Sequence, residues 1–338
     1  MRILLALISV FWIFQAHAYC FYNGTELDQD AQIEAAPTPL DLATGDSYET
    51  KSMNFSSDRK LSFTCIPSSK TPNQITLSAS QDNNEYYLIE NGVHKLYVRV
   101  WLEPENPAFL NFPADSASHP STELDSFKYR LNYSVQRNFS GKTYRTAELN
   151  GNIRLDSYLL VKPVACNTDN DCKSPFLDNA NHQYKYYINI RPTFTPTTCT
   201  FNDQEIDIPS IRYQDLDKSD YLYPTSDQPK LQCNSTLGVA TSNISYHFEA
   251  ISSPIGSILQ NELGTEPGSA GEVGFLLMNH GQNITAYPSQ KFNLARFGEA
   301  LQNISSVQLD LKARYASYGN KVYSGRVQSK VKVVVDYD

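Results

Sequence analysis

Apolar and polar residues alternate with a period of two along much of the chain. Phe127, Tyr129, Leu131, Tyr133 and Val135 are separated by Lys128, Arg130, Asn132 and Ser134. That spacing predicts a strand with one buried face. Leu96 to Leu102 is of the same kind, with Val98 and Val100 on one face and Tyr97, Arg99 and Trp101 on the other. Val307, Leu309, Leu311, Ala313 and Tyr315 alternate with Gln308, Asp310, Lys312 and Arg314. From Val322 onward the pattern predicts a strand running to Asp338. Val327, Val331, Val333, Val335 and Tyr337 share one parity, and Arg326, Gln328, Lys330, Lys332 and Asp336 share the other, with Val334 the exception. Helical periodicity is scarce, and Gly298 to Gln302 predicts one short turn at most. Short strands spaced by Gly, Pro, Asn and Ser turns predict an all-β protein built from β-sandwiches.

The 338 residues suggest about two domains, at ~150 residues per domain. The boundary is expected where Arg191-Pro192-Thr193-Phe194-Thr195-Pro196-Thr197-Thr198 interrupts the pattern. Proline fixes φ and lacks a donor, so this piece is predicted to be extended and unable to join a central ladder. Residues 19–193 then form the first domain, 194–198 the linker and 199–338 the second. With 12 % aromatic and 19 % charged residues the chain is too aromatic and too sparsely charged for a disordered protein. A net charge of -8 leaves no basic surplus to neutralise phosphates, so nucleic acid is not an expected partner.

Arg2, the apolar run Ile3 to Phe14 and the small-x-small site Ala16-His17-Ala18 read as an export signal covering residues 1–18. The run is shorter than the ~20 residues of a membrane-spanning helix. Export suits the 6 cysteines, Cys20, Cys65, Cys166, Cys172, Cys199 and Cys233, as disulfides of an oxidising compartment. Sequential pairing keeps each bridge within one local segment. None of the spacings is that of a zinc knuckle, and neither a metal nor a cofactor is expected.

The C-terminal segment carries the most specific signal. Gly325 stands before the alternating strand and Tyr337 is penultimate, while Cys199 and Cys233 lie upstream with Lys230-Leu231-Gln232-Cys233 as a strand. Ala270 to Leu277 and Ala313-Arg314-Tyr315-Ala316-Ser317 stand beyond the second of these cysteines. Together these resemble the pilin domain of the chaperone–usher fimbriae of Gram-negative bacteria, over Cys199 to Asp338. The resemblance implies an incomplete immunoglobulin-like sandwich that lacks its last strand. Such a domain exposes core and unpaired backbone along a groove. In that family a periplasmic chaperone lends a strand, an outer-membrane usher assembles the fibre, and the next pilin subunit later donates its own strand. The resemblance places Gly325, Val327, Val331, Val333, Val335 and Tyr337 along the groove. Only the linker and a whole domain precede Cys199, so the chain is expected to accept a strand and to cap the tip of a cell-surface fimbria, as an adhesin does.

In such adhesins the first domain is a lectin-like, receptor-binding β-sandwich. Tyr19-Cys20-Phe21-Tyr22-Asn23-Gly24-Thr25 looks like the opening of the mannose-binding tip adhesin of type 1 fimbriae, with Cys65 as the partner of Cys20 and Tyr184 to Ile190 as the last strand. Where the mannose binder has an Asn-Asp-Tyr run, this chain has Ile66-Pro67-Ser68-Ser69-Lys70, so mannose specificity does not carry over. The opposite rim matches Cys166-Asn167-Thr168-Asp169-Asn170-Asp171-Cys172. Asn167, Asp169, Asn170 and Asp171 can take the hydroxyls of a host glycan or accept from the cations of a host matrix protein. The same residues also suit a stapled surface turn. Asn167, Asp169, Asp171 and Asp178 have the spacing of a calcium loop, but Cys172 replaces its glycine. Tyr19, Tyr86 and Trp101 are candidate aromatic contacts, although a strand Trp is more often core.

Catalysis finds little support. Neither a Gly-x-Ser-x-Gly elbow nor a His-Glu-x-x-His pair occurs, and His94, His119, His182, His247 and His280 are scattered. An enzyme is not expected. Asn-x-Ser/Thr sequons at Asn23, Asn54, Asn132, Asn138, Asn234, Asn243, Asn283 and Asn303 leave a secreted eukaryotic β-rich glycoprotein as the alternative.

Overall fold

The computed structural model describes residues 20–22, 25–26, 31–34, 36–53, 63–65, 74–81, 83–105, 109–111, 118–119, 127–166, 172–173, 184–216, 218, 220–234, 236–301 and 306–338. The first half holds β1 (Cys20–Tyr22), β2 (Thr25–Glu26), β3 (Ala31–Glu34), β4 (Thr38–Asp41), β5 (Asp46–Met53), β6 (Phe63–Cys65), β7 (Gln74–Ala79) and β8 (Glu85–Asn91). It continues with β9 (His94–Pro104), β10 (Phe109–Asn111), β11 (Ser118–His119), β12 (Phe127–Gln136), β13 (Arg145–Glu148), β14 (Ile153–Cys166), β15 (Cys172–Lys173) and β16 (Tyr184–Thr193). The second half holds β17 (Thr198–Thr200), β18 (Lys230–Asn234), β19 (Ile244–Ala250), β20 (Gly271–Asn279), β21 (Gln282–Asn283), β22 (Phe292–Ala295), β23 (Val307–Gln308), β24 (Leu311–Val322) and β25 (Val331–Tyr337). The fold is all-β, and the helical content among the described residues is a 3-10 turn at Tyr213–Asp215.

The first half packs a 5-stranded sheet, β13-β8-β9-β12-β5, against a 7-stranded sheet, β10-β7-β14-β16-β3 with β15 on β14 and β4 on β16. The alternation decides what lies between them. Leu96, Val98, Val100 and Leu102 of β9 and Tyr129, Leu131 and Tyr133 of β12 meet Leu77, Leu155, Leu159, Val161 and Ile188 in one core. Backbone register sets Cys20 opposite Cys65 and Cys166 opposite Cys172.

A β-bulge interrupts β14 between Arg154 and Tyr158. A bulge leaves amides without ladder partners. Glu85 takes them, accepting from Asp156 N at 3.0 Å and Ser157 N at 2.8 Å. Arg145 closes the group with an ion pair to Glu85 at 2.6 Å. Burial pushes the Tyr87 hydroxyl beside it well above the usual phenol range.

The structure corrects the expected behaviour of Pro192. Strand β16 runs through it to Thr193, with Pro192 opposite Leu40 of parallel β4. Pairing with β14 has ended at Ile190. The proline therefore sits where its missing N–H interrupts no ladder on that side. Phe194 is buried in the core of the first half, and Thr197 is tied to the second, its N–H donating to Thr241 Oγ1 and its hydroxyl to the Val239 carbonyl, both at 3.0 Å.

In the second half, β17-β18-β23, β22-β19-β25 and β21-β20-β24 surround a core of Leu231, Tyr246, Phe248, Leu277, Ile284, Phe292 and Leu309. Cys199 and Cys233 are bridged by a disulfide across β17 and β18. The halves touch at Tyr97 and Phe297, whose rings lie 5.0 Å apart. They also touch at His94, whose Nδ1 is 3.0 Å from Thr241 Oγ1.

Candidate functional site

Strand β25 pairs with β19 from Val331 opposite Ala250 to Tyr337 opposite Ile244. Among the described residues no strand pairs with its other edge. Val331, Val333, Val335 and Tyr337 point to the core beside Tyr246 and Phe248, yet each is only half-buried. Complete antiparallel strands bury such residues fully. Residues 201–212 form no strand, although Phe201, Ile206 and Ile208 pack on the same core. Half-buried core thus lies beside a backbone edge that no described strand covers.

The outward parity of β25 holds the register. His247 Nδ1 lies 2.7 Å from Asp336 Oδ2, Lys332 pairs with Glu249 at 3.1 Å, and Lys291 bridges Asp336 and Asp338. The hydrogen bond from Lys332 holds the Glu249 carboxyl below its usual range. Val334, the exception to the alternation, falls on this outer face opposite His247. At the end of the strand the Tyr337 hydroxyl accepts from the Cys199 N–H at 2.6 Å and donates to the Cys199 carbonyl at 3.0 Å. Its ring lies 5.5 Å from that of His94.

The strand expected from Val322 to Asp338 is interrupted, which corrects the sequence reading. Residues 323–330 leave the ladder, and Arg326 forms a single bridge to Ser269. Buried Asn261 captures this stretch, accepting from Gln328 N at 2.9 Å and donating to the Arg326 carbonyl at 3.2 Å. A methyl group on Gly325 would lie 2.4 Å from the Ser269 carbonyl carbon, so only glycine fits there. Gly325 and Val327 instead line a mixed polar and apolar cleft of about 130 Å³ with Ile211, Arg212, Tyr315 and Tyr323.

Residues 188–338 match the fimbrial protein family. The match takes in all of the second half and the end of β16. No curated protein matches the chain. Solved structures similar to it include the CupB6 tip adhesin of Pseudomonas aeruginosa, at 12% identity over 87% of this chain and 94% of that one, with a TM-score of 0.43. A mutant of the CFA/I adhesin CfaE of enterotoxigenic Escherichia coli is similar at 10% identity, over 92% and 93% of the two chains, with a TM-score of 0.30. A chain from a structure described as a chaperone–tip adhesin complex in CFA/I fimbriae biogenesis has 10% identity and a TM-score of 0.31, over 90% of this chain and 97% of its own.

The positions expected to line a groove divide between strand β25 (Val331, Val333, Val335, Tyr337) and the cleft (Gly325, Val327). In the first half, Trp101 proves half-buried on the outer face of β9. The Arg99 guanidinium lies 4.4 Å over its ring, and the indole N–H donates to Glu103 at 3.0 Å. Tyr86 shares that face opposite Arg99 and packs edge-on against Phe139 at 4.9 Å. Sequence reasoning placed Arg99 on the face of Trp101 but did not name Arg99, Asn84 or Tyr48 as candidate contacts. The parity of Arg99 and Trp101 was the available signal. Tyr19, Asn167, Asp169, Asn170 and Asp171 lie outside the described residues, as does the export signal. Asn132 is 6% exposed, so a glycan on its sequon does not fit the folded domain.

Proposed function

We propose that the chain is a fimbrial tip adhesin that joins its fibre by accepting a donated strand. One observation carries this reading: β25 is paired along one edge only, with its inward valines half-buried, inside a domain that matches fimbrial proteins. A periplasmic chaperone would fill the groove first, and the next pilin subunit would replace it at the outer-membrane usher. The tip position is supported by what stands directly before Cys199, a whole β-sandwich in place of a free donor segment. That sandwich would attach the bacterium to a host glycan or a host extracellular protein. The same reading takes Cys20–Cys65 and Cys166–Cys172 as further disulfides, supported by their opposed backbones.

The test is to express the full chain with and without a donor strand. The probe is the N-terminal extension of the major subunit of the same fibre, fused after Asp338 through a Gly/Ser linker. Filling the groove should bury several apolar side chains, each contributing about 1.5–3 kcal/mol. The fused chain is expected to be monomeric and to melt at least about 10 °C higher. A bare chain that is already monomeric, with a melting temperature the fusion does not change, would refute the reading.

A further inference from the structure

We infer that the outer face of the 5-stranded sheet is a receptor subsite for a glycan that carries a carboxylate, with Arg99 gripping the acid and Trp101 and Tyr48 carrying the sugar rings. The inference rests on the adhesin reading and names the ligand class of its first domain.

The register builds the surface. Asn132 of β12 stands opposite both Trp101 of β9 and Tyr48 of β5, so the three form one row across three strands. Neighbouring strands are about 4.8 Å apart, which sets the two aromatic positions about 10 Å from each other. Asn132 is buried between them and fills the floor of the row. Tyr48 is 56% exposed. Each ring carries a guanidinium over one face, Arg99 at 4.4 Å on Trp101 and Arg130 at 4.7 Å on Tyr48, and the parts left exposed, at such a spacing, suit the apolar faces of adjacent pyranose rings.

Arg99 supplies the charge. Its Nε and Nη2 both donate to Asn84 Oδ1, at 2.9 Å and 2.6 Å. Its plane is laid over the Trp101 ring at 4.4 Å. One edge of the guanidinium is therefore fixed by a neutral oxygen, and the Nη1 edge is left for an incoming acceptor. Other arginines of this sheet are neutralised: Arg130 pairs with Glu105 at 3.2 Å, and Arg145 with Glu85 and Asp156. Among the described residues Arg99 has no carboxylate partner, in a chain of net charge -8. A positioned guanidinium edge binds a carboxylate through two parallel charge-assisted hydrogen bonds. The ordering cost is already met by Asn84 and Trp101, which favours binding. A neutral sugar would leave that charge unanswered.

The experiment uses the full chain starting at Tyr19, in which Trp101 is the sole tryptophan and reports binding by its own fluorescence. The probes are 3′-sialyllactose, an unsulfated uronic-acid disaccharide, lactose and a polyglutamate peptide. One or both acidic sugars should shift the emission and bind at least tenfold tighter than lactose, and which one binds identifies the source of the carboxylate. Arg99→Gln should lose that tenfold preference with an unchanged melting temperature, and Arg99→Lys should retain part of it. Equal binding of lactose, binding of polyglutamate alone, or full acidic-sugar binding by Arg99→Gln would overturn the subsite. Attachment of the chain to cultured host cells, measured alongside, separates the two readings. If attachment survives Arg99→Gln, the subsite falls and the adhesin reading stands. If wild type attaches to neither cells nor matrix, both fall.

Discussion

Strand β12 lies between β9 and β5, whereas β25 has β19 on one side and no strand on the other among the described residues. Both sequences alternate, β12 throughout and β25 with Val334 as the exception. In β12, Tyr129, Leu131 and Tyr133 are at most 4% exposed, and Asn132 and Ser134 on the opposite parity are buried as well. In β25 not one residue is fully buried. The period of two therefore reports which face a strand turns inward, and the neighbours decide how much water is removed. A flanked strand is a finished part of a core. A strand with one neighbour leaves part of its apolar face in contact with water.

The sharpest way to break this comparison is a matched pair of truncations. Leu131→Ala should destabilise the first domain by about 2–5 kcal/mol, the cost of deleting fully enclosed methyl groups. Val333→Ala should cost about 1 kcal/mol in the bare chain, because half of what it removes already faces water. Once a donor strand is fused after Asp338, the Val333→Ala cost should rise while that of Leu131→Ala stays fixed. Urea titrations of each variant, with and without the fusion, measure all four values. A Val333→Ala cost that the fusion leaves unaltered would mean the strand is already complete.

A smaller effect is expected at the end of β25. Tyr337→Phe keeps the ring but removes the hydroxyl that bonds both the N–H and the carbonyl of Cys199. Leaving those backbone groups poorly satisfied should cost about 1–3 kcal/mol. Hydrogen exchange should localise the loss to the Cys199 amide and the junction around it. Unchanged protection there would show that the hydroxyl contributes nothing to holding the strand end.

Much of this arrangement was legible in the residues, and the gaps have physical causes. The inward set Val331, Val333, Val335 and Tyr337 follows directly from parity, and the Cys199–Cys233 bridge from spacing and resemblance. The break at 323–330 was hidden, because it is imposed by Asn261, some 65 residues upstream in sequence from Arg326. Pro192 was read as a strand breaker, yet the ladder it would have broken had already ended at Ile190. Trp101 was ambiguous for the same reason as β25: alternation assigned it to a face without saying what covers that face. Arg99 was placed on a face but given no role, because its meaning depends on Asn84, 15 residues away, and on having no carboxylate partner among the described residues.

The smallest expected effect concerns pH at the contact between the halves. Burial lowers the His94 pKa below its ordinary 6.5. Its neutral ring is seated against Thr241 and beside Tyr337. A histidine whose folded pKa is depressed binds fewer protons folded than unfolded, so stability rises with pH through that window. The contribution is complete above about 6.5 and is lost as pH falls below it. Lowering the pH from 7.5 to 5.5 should reduce the melting temperature of the wild type by about 2 °C more than that of His94→Gln. The comparison with the variant removes the shared effect of the carboxylates, which titrate in both. Parallel pH profiles for the two proteins would show that the junction does not sense the imidazole charge, and the two halves would then be coupled through Tyr97, Phe297 and the Thr197 hydrogen bonds instead.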